Sequence, residues 1–176
     1  MKTINTGYLP LNEINRLLSL KKEVISSPEV YRLSFANGKS KHGLLLRSFD
    51  NNNELFLLSI KRSEKILLKV SFHHMRKNDR QFLFRVDLAG THMNPAVCTD
   101  SVPEEFLPFK GRLLKGPHVH YYVEGYESGW ALPFEATPFR EWSGMSDPEH
   151  SLQGIVDKIS ETINLTTKII YDPNLL

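Results

Sequence analysis

The chain has a single cysteine, Cys98, among its 176 residues, so neither a disulfide framework nor a cysteine-based zinc site can be built within it. One thiol fits a reducing compartment. No apolar run approaches the ~20 residues that span a bilayer. The opening Met-Lys-Thr-Ile-Asn-Thr-Gly-Tyr lacks the apolar stretch of a signal peptide. A cytoplasmic address with no membrane partner is therefore expected. There is no Gly-x-x-x-x-Gly-Lys-Ser/Thr loop, no dinucleotide-binding glycine fingerprint and no Gly-x-Ser-x-Gly elbow. Nothing calls for a cofactor, and none is expected. Charge of one sign is also scarce: 22 Lys and Arg against 20 Asp and Glu leave a net charge of +2, which neither demands nor excludes nucleic acid.

What is present is the makeup of an ordinary folded domain. A hydrophobic content of 40% supplies a core, and a charged content of 24% argues against disorder. The length suits one domain over residues 1–176. Ile14, Leu17, Leu18, Lys21 and Val24 recur at helical spacing, which predicts an amphipathic helix over Leu11–Ile25, stopped by Ser26-Ser27-Pro28. Strand signals follow at Val30–Phe35, Gly43–Phe49, Leu55–Lys61, Ile66–Met75 and Phe82–Leu88. Asn37-Gly38 is a strong hairpin signal and predicts that the first two pair. The short turns between the others read as an antiparallel meander. From residue 90 to 116 the pattern weakens into a long loop or insertion. Strand character returns at His118–Tyr126 and Trp130–Phe134.

A second helix is predicted over Pro148–Ile163. Asp147 is placed to cap it, and Leu152, Ile155, Val156, Ile159 and Ile163 form its apolar stripe. A β-like run, Lys168–Tyr171, closes the chain. The expected class is α+β: an antiparallel sheet of about five to seven strands flanked by an N-terminal and a C-terminal helix.

The densest cluster of chemically active side chains is Pro117–Tyr126. Period two places His118, His120, Tyr122 and Glu124 on one face of a strand and Val119, Tyr121 and Val123 on the other. Alternation of this kind also describes any solvent-facing strand. His92 and Asn94 end the preceding strand region and would fold over the histidine row if the two strands pair. The segment Lys61–Arg85 carries Lys61, Arg62, Lys65, Lys69, Arg76, Lys77, Arg80 and Arg85 against Glu64 and Asp79. Such a stripe suits a phosphate backbone, and equally solvates an exposed sheet face.

Together these predict a nucleic-acid-acting protein, a metal-independent ribonuclease. His118 and His120 would transfer protons, Tyr122 and Glu124 would orient them, and His92, Arg85 and Arg76 would contact phosphate. The alternatives are a non-enzymatic module binding an antitoxin or a phage protein, and a metal site. For the metal site, His118, His120 and Glu124 resemble the His-x-His and following Glu of cupins, with Asp87 or His92 completing the coordination. The flanking glycines are displaced, however, and there is no second motif with a later histidine.

A wider resemblance is carried by Asp87-Leu88-Ala89-Gly90, His92, Asn94-Pro95, Pro117-His118-Val119-His120, Tyr122, Glu124-Gly125-Tyr126 and Trp130-Ala131, with the upstream strand Glu54–Leu58. Over roughly Glu54 to Pro133 the chain resembles a family of small bacterial and phage proteins known as a domain of unknown function. The resemblance implies a shared surface. Members look like accessory genes of mobile elements, which implies toxin–antitoxin or phage-defence roles, hence RNA, an antitoxin or a phage protein as partner. The chain departs from the pattern by a longer stretch, around Val102–Leu114, before the Pro-His-x-His.

Overall fold

The computed structural model describes residues 8–35, 39–50, 54–63, 69–145 and 148–172. Its elements run α1 (Leu11–Ser19), β1 (Lys22–Val24), β2 (Val30–Leu33), β3 (Ser40–Ser48), β4 (Leu55–Arg62), β5 (Val70–Arg76), β6 (Phe82–Asp87), β7 (Thr91–Met93), β8 (Leu113–Lys115), β9 (His118–Val123), β10 (Glu127–Pro133), α2 (Pro148–Thr162) and β11 (Lys168–Tyr171). The class is α+β. Seven strands form one sheet in the order β1-β3-β4-β5-β6-β9-β10, antiparallel throughout. No helix among the described residues is long and apolar enough to cross a membrane.

The core lies on the sheet face lined by Leu44, Leu46, Phe56, Leu58, Ile60, Phe72, Phe84, Val86 and Val119. Their alternation puts one apolar side chain per two residues against the helices. Ile14 and Leu17 of α1 join this core, and α2 contributes Leu152, Ile155, Val156 and Ile159 with Ile163 just beyond it, the stripe that helical spacing predicts. The proposed cap, Asp147, lies outside the described residues.

Two sequence expectations are corrected. The first helix ends at Ser19, because Leu20 turns to φ −57° and ψ 132°. Lys22 and Val24 then pair with Ser48 and Leu46 as a strand, so Val24 is buried by the sheet and not by a helix stripe. Lys22, fully buried, donates from Nζ to the Leu18, Leu20 and Ile163 carbonyls at 2.9, 2.7 and 2.9 Å. It thus satisfies free carbonyls at the C-terminal ends of both helices. Second, β2 does not pair with β3. The neighbours of β3 are β1 and β4, whereas β2 lies parallel to β11, with Val30 opposite Lys168 and Leu33 opposite Tyr171. Asn37-Gly38 lies outside the described residues. A partner more than a hundred residues away leaves no trace in local periodicity.

Residues 90–116 form an ordered arm. Its base is the antiparallel pair β7–β8, with Thr91 opposite Lys115 and Met93 opposite Leu113. The pair closes where Gly116 N–H donates to Gly90 O at 2.9 Å. Both glycines have positive φ, 132° at Gly90 and 92° at Gly116, which other residues rarely adopt. A 3₁₀ turn, Glu104–Phe109, brings Phe106 against Trp130 and Leu132, a small second core that also holds Val102 and Val123. Asn94, 1% exposed, ties the arm down. It donates to the Phe109 and Ala131 carbonyls at 3.1 and 2.9 Å and accepts from Ala131 N–H at 2.9 Å.

Two predictions follow from this packing. Asn94→Ala strands three backbone groups and should cost about 2–3 kcal/mol of unfolding free energy in a urea titration; a loss below about 0.5 kcal/mol would contradict the tie. His74, wholly buried and stacked on Phe56 at 5.4 Å, is held neutral far below the usual histidine range, first by burial and then by the charges of Lys22 and His73. The unfolded chain therefore binds a proton that the native state refuses, so stability falls as pH drops from about 6.5 toward 4.5. The melting temperature of His74→Phe should fall less steeply over that window than that of the wild type; parallel curves would contradict this.

Candidate functional site

The sheet order sets β9 beside β6, and the register places His118 opposite Asp87 and His120 opposite Arg85. Directly opposed residues share a face, so the strands bring one carboxylate, one guanidinium and two imidazoles together. Asp87 is 5% exposed, His118 2% and His120 5%. Asp87 Oδ2 lies 3.3 Å from His118 Nε2 and 3.2 Å from His120 Nε2. Arg85 grips the same carboxylate with two nitrogens, Nε to Oδ1 at 3.0 Å and Nη2 to Oδ2 at 3.0 Å. Burial alone would raise the Asp87 pKa, but the hydrogen bonds of His118 and His120 and the Arg85 charge outweigh it and hold the carboxyl well below its usual range. Asp87 is thus an anion throughout the physiological range.

The other nitrogen of each imidazole is fixed by the backbone. His118 Nδ1 lies 2.8 Å from Gly116 O, and His120 Nδ1 lies 2.9 Å from Ser128 O. A carbonyl only accepts, so both Nδ1 atoms carry hydrogen and both Nε2 atoms are turned on Asp87. The third imidazole, His92, comes from β7. Its Nε2 donates to Gly129 O at 3.0 Å, and its ring lies 4.5 Å from that of His120 and 5.9 Å from that of His118. Burial and the neighbouring His120 lower its pKa. The expectation that the segment after β6 folds over the histidine row is met by this ring. On the far side of Arg85, His73 is its cross-strand partner. Burial, then Arg85 and Lys61, push the His73 imidazole down to about 4.

The spacing distinguishes two uses of these groups. Charge-assisted N–H···O bonds run about 2.7–2.9 Å, shorter than the 3.2 and 3.3 Å found here. Ligands at ~2.0–2.1 Å from one metal ion lie about 2.8–3.4 Å apart at octahedral or tetrahedral angles. The two His–Asp separations fall in that interval, and all three ligand atoms lie within 4.8 Å of one another. Imidazoles that ligate metal through one nitrogen ordinarily donate from the other to a carbonyl or carboxylate, which fixes ring and tautomer as Gly116 and Ser128 do here.

The remaining sequence candidates lie elsewhere. Tyr122 packs in the main core, where burial raises its pKa to about 12, and its hydroxyl donates to Leu9 O ahead of α1. Glu124 is exposed in the turn after β9, its carbonyl accepting from Ser101 Oγ. The cupin-like set of His118, His120 and Glu124 is therefore not assembled; Asp87 takes the third position. Arg76 sits at the end of β5 remote from Asp87, 3.6 Å from both Glu54 and Asp79. Arg85 and His92 are at the site. Asp87 was legible only as a possible completing ligand, because its place depends on the β6–β9 register.

The tautomers are directly testable. Long-range proton–nitrogen NMR spectra should show His118 and His120 protonated on Nδ1 and His92 on Nε2; an unprotonated Nδ1 at either of the first two would contradict the arrangement.

No curated protein and no solved structure matches the chain. A family model matches residues 9–160, which is most of the chain. The chain belongs to the family of unknown function DUF6978.

Proposed function

We propose that the protein is a metal-dependent hydrolase whose Asp87, His118 and His120 hold one divalent transition-metal ion. The observation that carries this reading is the convergence of two Nε2 atoms and one carboxylate oxygen, with both Nδ1 atoms engaged by backbone carbonyls. The metal-independent ribonuclease fits the geometry less well. A general acid–base pair needs a nitrogen facing the substrate, and each of these imidazoles has one nitrogen on a carbonyl and the other on Asp87.

Two imidazoles and a carboxylate are a mixed nitrogen and oxygen set suited to Zn²⁺ or Fe²⁺, and three protein ligands leave coordination positions open. A metal ion bound there supplies a Lewis acid and lowers the pKa of coordinated water toward neutrality. The protein's own groups do the rest. Arg85 fixes the carboxylate, Gly116 and Ser128 fix the rings, and the His92 ring lies against them.

Isothermal titration of metal-free protein with Zn²⁺ should give one site per chain, with Asp87→Ala and His118→Ala each weakening it more than ~100-fold. Circular dichroism checks that both variants are folded. Absence of stoichiometric binding by the wild type, or equal affinity in the folded variants, would sink the proposal.

A further inference from the structure

A cavity of about 310 Å³ opens in front of Asp87 and His118, lined also by Lys69, Ser71, Arg85 and Thr91. We propose that it is an oxyanion subsite, and that the substrate of the metal site is a phosphoester. The inference rests on the metal-binding reading above and names its substrate class.

The balance of charge carries it. Asp87 is the one carboxylate lining the cavity among the described residues, and it is already engaged by His118, His120 and Arg85. Lys69 is exposed, with no ion-pair partner among the described residues. Arg85 spends Nε and Nη2 on Asp87, leaving Nη1 outside that pair. The pocket therefore presents the Lys69 ammonium and the Nη1 edge of Arg85 beside a site that holds a divalent cation when loaded. A neutral substrate makes no use of them, whereas a phosphoryl group with several charged oxygens does. Lys61, facing Ser71 across β4 and β5, extends the positive surface outward from the same end of the sheet. The Ser71 and Thr91 hydroxyls supply short polar groups to the cavity wall. Phosphate at this position is the shared chemistry of a nucleic-acid backbone, a mononucleotide and a sugar phosphate.

The test uses the full chain loaded with Co²⁺, whose visible absorption reports the metal environment. Titration with inorganic phosphate should shift the cobalt bands. Lys69→Ala should keep the phosphate-free spectrum and weaken phosphate binding about 10-fold, the loss of one charged hydrogen bond. Lys77→Ala removes the same charge at the other end of β5 and should leave binding unchanged. Competition by single-stranded RNA, a mononucleotide and a sugar phosphate then identifies the source, and preference for any of them supports the class. Cobalt bands that form but ignore phosphate and all three competitors, or equal behaviour of Lys69→Ala and Lys77→Ala, would overturn the subsite while leaving the metal site standing. Failure of the cobalt bands to form would overturn both.

Discussion

The Asp87 carboxylate is a negative charge buried at the join of two interior strands, and the protein must replace the water it loses. An isolated buried carboxylate costs far more than a domain can spare, so it persists only when paired and hydrogen-bonded. Arg85 reaches it from two residues away on the same strand face, and His118 and His120 reach it from β9. Each imidazole is in turn braced at its far side, one by Gly116 and one by Ser128. The positive φ of Gly116, the register shift at Ser128 and the pairing of three strands all serve the placement of one oxygen atom.

The arm belongs to the same construction. The arm, residues 90–116, begins three residues after Asp87 and ends two residues before His118, so the excursion is inserted between the two halves of the site. Asn94 anchors it to β10, and the His92 ring lies against both buried imidazoles. Closing the base through Gly90 and Gly116 brings β9 back beside β6, and the small core around Phe106 and Trp130 holds the arm's far part down. Stability of the arm and geometry of the site are thus linked through adjacent residues.

Much of this was legible from the residues. The stripe of α2, the meander from β3 to β6 and the facing of His118 and His120 follow from local periodicity, because side-chain direction is fixed within each element. What was not legible depends on which segments meet. Period two assigned Tyr122 and Glu124 to the histidine row, but Tyr122 is drawn into the core beside α1 and the strand ends before Glu124. Arg76 belongs to the basic stripe in sequence and to the wrong end of β5 in space. Val24 sat at helical spacing and became a strand residue once Lys22 capped the helix ends. Asp87 is the instructive case: its place in a strand was readable, and its role waited on the register that sets it opposite His118.

The most direct test is anomalous X-ray diffraction at the zinc edge on crystals grown with one equivalent of Zn²⁺. The account predicts a single strong peak about 2.0–2.2 Å from Asp87 Oδ2, His118 Nε2 and His120 Nε2. No peak among these three atoms, with zinc absent or bound only at surface histidines, would contradict it.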